Sequence, residues 1–223
     1  MFHSLFHDRV EAGRLLAECL RGEAGANTVV LALPRGGVPV AFEVAMALDA
    51  ELDVLPVRKL GVPTQPELAM GAIAPGGARY VDEHTVRAAH VTQAQFDAVL
   101  AYEQAELARR ETLYRGELPP LVVAGRTVIL VDDGMATGAS MQAAVRSLRA
   151  LHPARIVVAL PVAPAGAEAD FHGVADAFIA VAQPALFFSV GQHYDDFDQT
   201  SDDEVRVLLA RAAARPHGAS GDA

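Results

Sequence analysis

Cysteine is nearly absent from this chain. Cys19 stands alone, which excludes an intramolecular disulfide and a cysteine metal cage. It lies among Leu15, Leu16 and Leu20 and is expected to pack in the core rather than act as a nucleophile. Basic residues are also few, with 18 Lys and Arg against 28 Asp and Glu and a net charge of −10. That balance, with a pI near 5.2, argues against a nucleic-acid surface. No apolar run approaches the length of a membrane span. Met1 to Arg9 carries His, Asp and Arg and no hydrophobic signal region, so a cytoplasmic protein away from membranes is expected. The eight histidines form no i, i+4 pair on a helix, so no zinc site is read. Internal repeats and low-complexity segments are lacking too.

What remains is a chain of 223 residues, 52% apolar, with mean hydropathy +0.22. That length suits a single domain over residues 1–215, followed by a disordered tail at 216–223. Its centre is Val128 to Ser140, which reads V-I-L-V-D-D-G-M-A-T-G-A-S. Val128 to Val131 have the apolar, β-branched look of a central parallel strand. Asp132 and Asp133 fall where it would end, and open α/β sheets place ligands at that end. Gly134 to Ser140 has little side-chain bulk, so its backbone N–H groups can surround an anion. The helix after Gly138 would aim its positive dipole end at the same anion. No G-K-[ST] follows, which excludes a P-loop. An anion loop beside two carboxylates suits a sugar phosphate with a free cis-diol.

A second strand–turn–helix precedes this one. Thr28 to Leu33 reads as a strand running into Pro34-Arg35-Gly36-Gly37-Val38-Pro39, with Val40, Val44, Ala47 and Leu48 then at helical spacing. Gly36 and Gly37 permit close approach to a ligand, and Arg35 is a bidentate donor to oxyanions. An ordinary βα turn with a surface arginine fits the same residues. Leu52 to Val57 is the next expected strand, ending in Arg58-Lys59. Leu68 to Ala74 and Ala78 to Val81 can pair as a hairpin around Pro75-Gly76-Gly77. Thr92 to Tyr114 is a long helix whose charges Glu103, Glu106, Arg109, Arg110 and Glu111 read as a solvated face. Arg155 to Leu160 and Ala177 to Val181 complete five strands separated mainly by helices, which indicates a parallel sheet. Val10 to Leu20 and Asp202 to Arg215 are the first and last helices.

The central string resembles the phosphoribosyl-pyrophosphate (PRPP) motif of type I phosphoribosyltransferases, and L-P-R-G-G-V-P resembles the pyrophosphate loop of the purine-specific members. The resemblance spans about Thr28 to Phe197. It implies the α/β fold of that family: a five-stranded parallel sheet flanked by helices, a flexible lid and the long helix within 60–115, and a small hood within 183–200. It also implies transfer of ribose 5-phosphate from PRPP to an acceptor nitrogen, with Mg²⁺ as cofactor and release of pyrophosphate. Asp132 and Asp133 would hold the ribose hydroxyls, and Mg²⁺ through those hydroxyls or water. Gly134, Met135, Ala136, Thr137, Gly138, Ala139 and Ser140 would hold the 5′-phosphate. Arg35, Lys59, Arg58, Gly36 and Gly37 would serve the pyrophosphate, with a cis non-proline peptide near Arg35–Gly36. Glu67 and Arg79 are lid candidates by position.

His193, Tyr194 and Asp195, in a hood-like V-G-Q-H-Y-D-D-F stretch, would lie beside the acceptor; the aromatics there could equally pack the terminal helix. Hypoxanthine-type members carry an Asp where this chain has Ala136, so the acceptor stays open. The A-T-G pattern is similar to uracil-type members, whose uracil-binding segment is not recognisable here. PRPP, a small-molecule acceptor and a second copy of the chain are the implied partners. A PRPP- or nucleotide-binding regulator without turnover is the alternative.

Overall fold

Val29, Val30, Leu31 and Ala32 are all fully buried, and so are Val128 to Val131. A strand apolar on both faces needs cover on both, and a parallel sheet between helix layers supplies it. In the computed structural model, which describes residues 4–116 and 122–215, these segments are neighbouring central strands. The strands are β1 (Thr28–Ala32), β2 (Glu51–Val54), β6 (Thr127–Val131), β7 (Arg155–Val162) and β8 (Ala177–Ala182). They run parallel in the order β2-β1-β6-β7-β8. Burial alternates with the pleat. Val29, Leu31, Val128, Leu130, Ile156 and Val158 face α5 (Ala139–Arg149) and Phe171. Val30, Ala32, Ile129, Val131, Val157 and Ala159 face α1 (Arg9–Cys19), α2 (Gly37–Leu48) and α6 (Asp202–Ala213). The five expected core strands are therefore present.

Strand order reverses between β1 and β6. The chain leaves β1 toward β2 on one side and returns to β6 on the other. Loops that depart in opposite directions open a crevice at the carboxyl ends, where ligands of such sheets bind.

A second, antiparallel sheet joins β3 (Arg58–Val62), β4 (Gln65–Ile73) and β5 (Arg79–Val81). The expected hairpin is there as β4 and β5, turning through Pro75–Gly77. One expectation needs correcting. The strand begun at Leu52 does not run to Val57, and Arg58-Lys59 is not at the end of a core strand. β2 stops at Val54, opposite Ala32 where its partner β1 ends, and the Ala32 carbonyl takes the Leu55 N–H at 2.9 Å. Arg58 and Lys59 instead open β3.

The short α3 (Glu83–Ala88) leads to α4 (Gln93–Arg115), which starts at a capping box between Thr92 and Gln95 and packs on β3 and β4 through Phe96 and Leu107. Its far end is held to β2 by a buried pair, Arg115 with Asp53 at 2.9 Å. Glu106 pairs locally with Arg109 and Arg110 as expected, but Glu103 reaches across to Arg58.

Cys19 is exposed, contrary to the expectation that it packs in the core. Ala12, Leu16 and Leu20 share the buried face of α1, whereas Leu15 and Cys19 lie one turn apart on the opposite face. The non-proline cis peptide is present one bond earlier than expected, at Pro34–Arg35. The expected tail, 216–223, lies outside the described residues. Glu67 lies on β4, its side chain outside what is described, and Arg79 is exposed on β5.

Candidate active site

Asp132 and Asp133 leave the end of β6 at the point where strand order reverses. The Asp133 N–H donates to Asp132 Oδ1 at 2.9 Å, which fixes the Asp132 carboxyl. The Pro34–Gly37 turn closes over them from β1. Here the glycines are needed for space. A Cβ on Gly36 would lie 2.1 Å from Asp133 Oδ2, and one on Gly37 would lie 2.9 Å from Asp132 Cα. Burial pushes both acids above their usual range. The neighbouring Asp133 charge raises Asp132 further, whereas Arg9 holds Asp133 partly back.

The loop beyond is anchored at one residue and open at the rest. Met135 N–H bonds Val162 O at 3.0 Å, and its side chain is buried in the core. Ala136 and Thr137 are exposed. Among the described residues, no backbone carbonyl takes the N–H of Ala136, Thr137 or Gly138. Gly138 adopts φ 73° and turns the chain into α5, so Ala139 and Ser140 form its first turn with their donors facing the loop. The result is a run of unused donors at a helix start, a few residues from two carboxylates.

The remaining expected residues are more scattered. Arg35 lies 3.8 Å from Asp202 at the start of α6, and that carboxylate also accepts from Tyr114 Oη at 2.8 Å. Arg58 is bound to Glu103 by Nε at 2.7 Å and Nη2 at 2.6 Å, so its guanidinium faces α4. Lys59, the chain's only lysine, is opposite Ala72 in the small sheet. Both cations line a cavity of about 510 Å³ between that sheet and α4, with Val62, Pro66, Val99 and Tyr102.

In the hood, Tyr194 is buried and donates to the Asp133 carbonyl at 2.5 Å, with its ring between Phe6 and Phe197. The His193 ring lies 5.0 Å from that of Phe187, and burial lowers its pKa. Asp195 faces Ser4 and His7. The hood aromatics thus pack the N-terminal segment rather than α6.

Sequence reasoning missed Arg9. Its Nε and Nη2 both lie 2.9 Å from Asp133 Oδ2, and Nη1 donates to Asp198 O at 2.7 Å. No local signal marks a partner 124 positions away. Among the described residues, no group of three or more His, Cys, Asp or Glu could hold a metal, and the acid pair offers two carboxylates. Two carboxylates suit an ion that keeps most of its water and ligand oxygens, as Mg²⁺ does. No described helix is long and apolar enough to cross a membrane.

An acid pair and a run of unused amides at a switch point, faced by a glycine turn, stand where open α/β domains take their ligands. Residues 7–178 match the phosphoribosyl transferase domain family, and the chain belongs to it. It is 51% identical over 208 residues to "Putative phosphoribosyl transferase Rv0571c" of Mycobacterium tuberculosis strain H37Rv, and equally to MT0597 of strain CDC 1551. The match covers 93% of this chain and 47% of theirs, so the chain spans about half the length of these curated relatives. Among solved structures, TT1426 from Thermus thermophilus is 42% identical, with a TM-score of 0.84, over 92% of this chain and 98% of that one. The fold is that of a type I phosphoribosyltransferase.

Proposed function

We propose that this protein transfers ribose 5-phosphate from PRPP to a nitrogen of a small acceptor, a nucleobase or a related compound, and releases pyrophosphate. The observation that carries the reading is the meeting of Asp132 and Asp133 with the unused amides of Ala136 to Gly138 at one switch point. The amides, with the Thr137 and Ser140 hydroxyls, take the 5′-phosphate. The two acids accept from the ribose 2′- and 3′-hydroxyls. The acceptor nitrogen forms a bond to C1′ as the C1′–O bond to pyrophosphate breaks, and the acceptor then loses a proton. Positive charge grows at C1′, where the nearby carboxylates favour it, and negative charge grows on the leaving group, where Arg35 in the glycine turn favours that. Asp132 and Asp133 would hold Mg²⁺, which would supply further neutralisation of the pyrophosphate. The same reading sets the protein in cytoplasmic nucleotide metabolism as an oligomer, on the strength of the family alone.

The test is isotope-labelled PRPP with Mg²⁺ and a panel of nucleobases and small amines, scored for pyrophosphate. Release that depends on one acceptor and falls in Asp133→Asn by more than PRPP affinity supports the reading, because that charge matters most in the transition state. Tight PRPP binding without release under any acceptor indicates the regulator instead. Absence of PRPP binding at millimolar concentration overturns both.

A further inference from the structure

Arg9 is bound through all three of its guanidinium nitrogens beside the acid pair. Two of its nitrogens share Asp133 Oδ2 at 2.9 Å, the third donates to Asp198 O at 2.7 Å, and its Cζ lies 4.0 Å over the Phe197 ring. Only 12% of its side chain and 14% of that of Asp133 are exposed. Such a pair is little screened by water, and a planar fork between a carboxylate, a carbonyl and a ring has few other places to go. Asp133 is also held from behind, since Tyr194 Oη donates to its carbonyl. Both contacts with Arg9 are made by Oδ2, so Oδ1 takes no part in this pair.

We infer that Arg9 is the resident counter-cation of the acid pair: it positions Asp133 for a hydroxyl and keeps a divalent metal from binding that carboxylate directly. A metal bonded to Asp133 would sit within a few ångströms of a fixed guanidinium, and like charges at that range repel strongly where water is scarce. Mg²⁺ also gives up its water reluctantly. The metal therefore enters on the oxygens of a phosphorylated ligand, and the acid pair alone does not recruit it. Arg9 acts through Asp133, as a positioning residue; the inference rests on the PRPP reading only for which ligand carries the metal.

The experiment is a titration of the ligand-free chain with Mn²⁺, followed by electron paramagnetic resonance. It contains no PRPP, so it is decided separately from the proposed activity. Wild type is expected to take up no Mn²⁺ at micromolar metal. Arg9→Gln, which removes the charge and keeps a polar side chain, should bind one Mn²⁺ at least about tenfold more tightly. Arg9→Gln with Asp133→Asn should lose that gain, and Arg9→Lys should behave as wild type. One Mn²⁺ held by ligand-free wild type or Arg9→Lys at micromolar metal overturns the inference. So does a folded Arg9→Gln that gains nothing. Should Arg9→Gln not fold, the wild-type and Arg9→Lys titrations decide alone: uptake overturns the inference, and none supports it.

Discussion

Gly36 lets one side chain atom decide between two opposite expectations. Its backbone is ordinary right-handed helix, φ −59° and ψ −32°, so alanine meets no conformational barrier there. On that ground alone, Gly36→Ala would stabilise the protein by about 0.4–1 kcal/mol through the unfolded chain. The new methyl, however, would lie 2.1 Å from Asp133 Oδ2 and 2.8 Å from its Cγ. The carboxylate would have to turn away, and it could do so only by giving up Arg9. Overpacking of this kind costs about 1–3 kcal/mol. With the broken pair added, the net should be destabilising, and for a domain this long each kcal/mol lowers Tm by about 2–4 °C. Gly22→Ala is the control, since nothing lies within 4 Å of a Cβ there. Differential scanning calorimetry of both variants checks the difference. A double-mutant cycle sharpens it: in an Asp133→Ala background the colliding atoms are gone, and the Gly36→Ala penalty should vanish. Unchanged Tm in Gly36→Ala, or the same penalty in both backgrounds, would show that the turn does not press on the acid pair.

Three further outcomes are expected. Arg35→Ala should weaken PRPP and pyrophosphate while sparing ribose 5-phosphate, and Thr137→Val should weaken every ligand with a 5′-phosphate; each lost charge-assisted contact is worth about 1.5–3 kcal/mol, roughly ten- to a hundredfold by calorimetric titration. If Arg35→Ala weakens ribose 5-phosphate as much as PRPP, Arg35 is not at the pyrophosphate end. His193 sets an acid limit on the hood. Burial lowers its pKa below 6.5, so the unfolded chain takes up the proton first as pH falls. Its contribution is whole above pH 6.5 and is lost as pH drops toward the lowered value. Tm should therefore fall faster in wild type than in His193→Gln between about pH 7 and pH 5, and parallel curves would refute this.

The sheet could be read from the chain because β1, β6, β7 and β8 are apolar on both faces. The acid pair and its loop could be read because one short string carries both. Arg58 and Lys59 read as the end of a core strand because the apolar run from Leu52 to Val57 looks continuous, although β2 ends with its partner β1 and the two cations open β3. The long helix revealed its length but not its attachments: the Arg58–Glu103 and Arg115–Asp53 pairs join residues far apart in sequence, and a charge on a helix does not announce its partner. The same holds for Arg9. Cys19 illustrates the other limit, a helix flank where leucines occupy both faces and only packing tells them apart.

The clasp around Asp133 also sets an order of events on the ribosome. Arg9 is made 124 residues before its carboxylate partner, and the hydroxyl of Tyr194 follows Asp133 by a further 61. At about 5–20 residues per second, that last interval alone takes roughly 3–12 s. Through it the β1, β2 and β6 strands can already pair, while the pocket they frame still lacks its roof. A nascent chain of this protein therefore acquires these strands well before the geometry around its acid pair is complete, which waits until the hood has emerged.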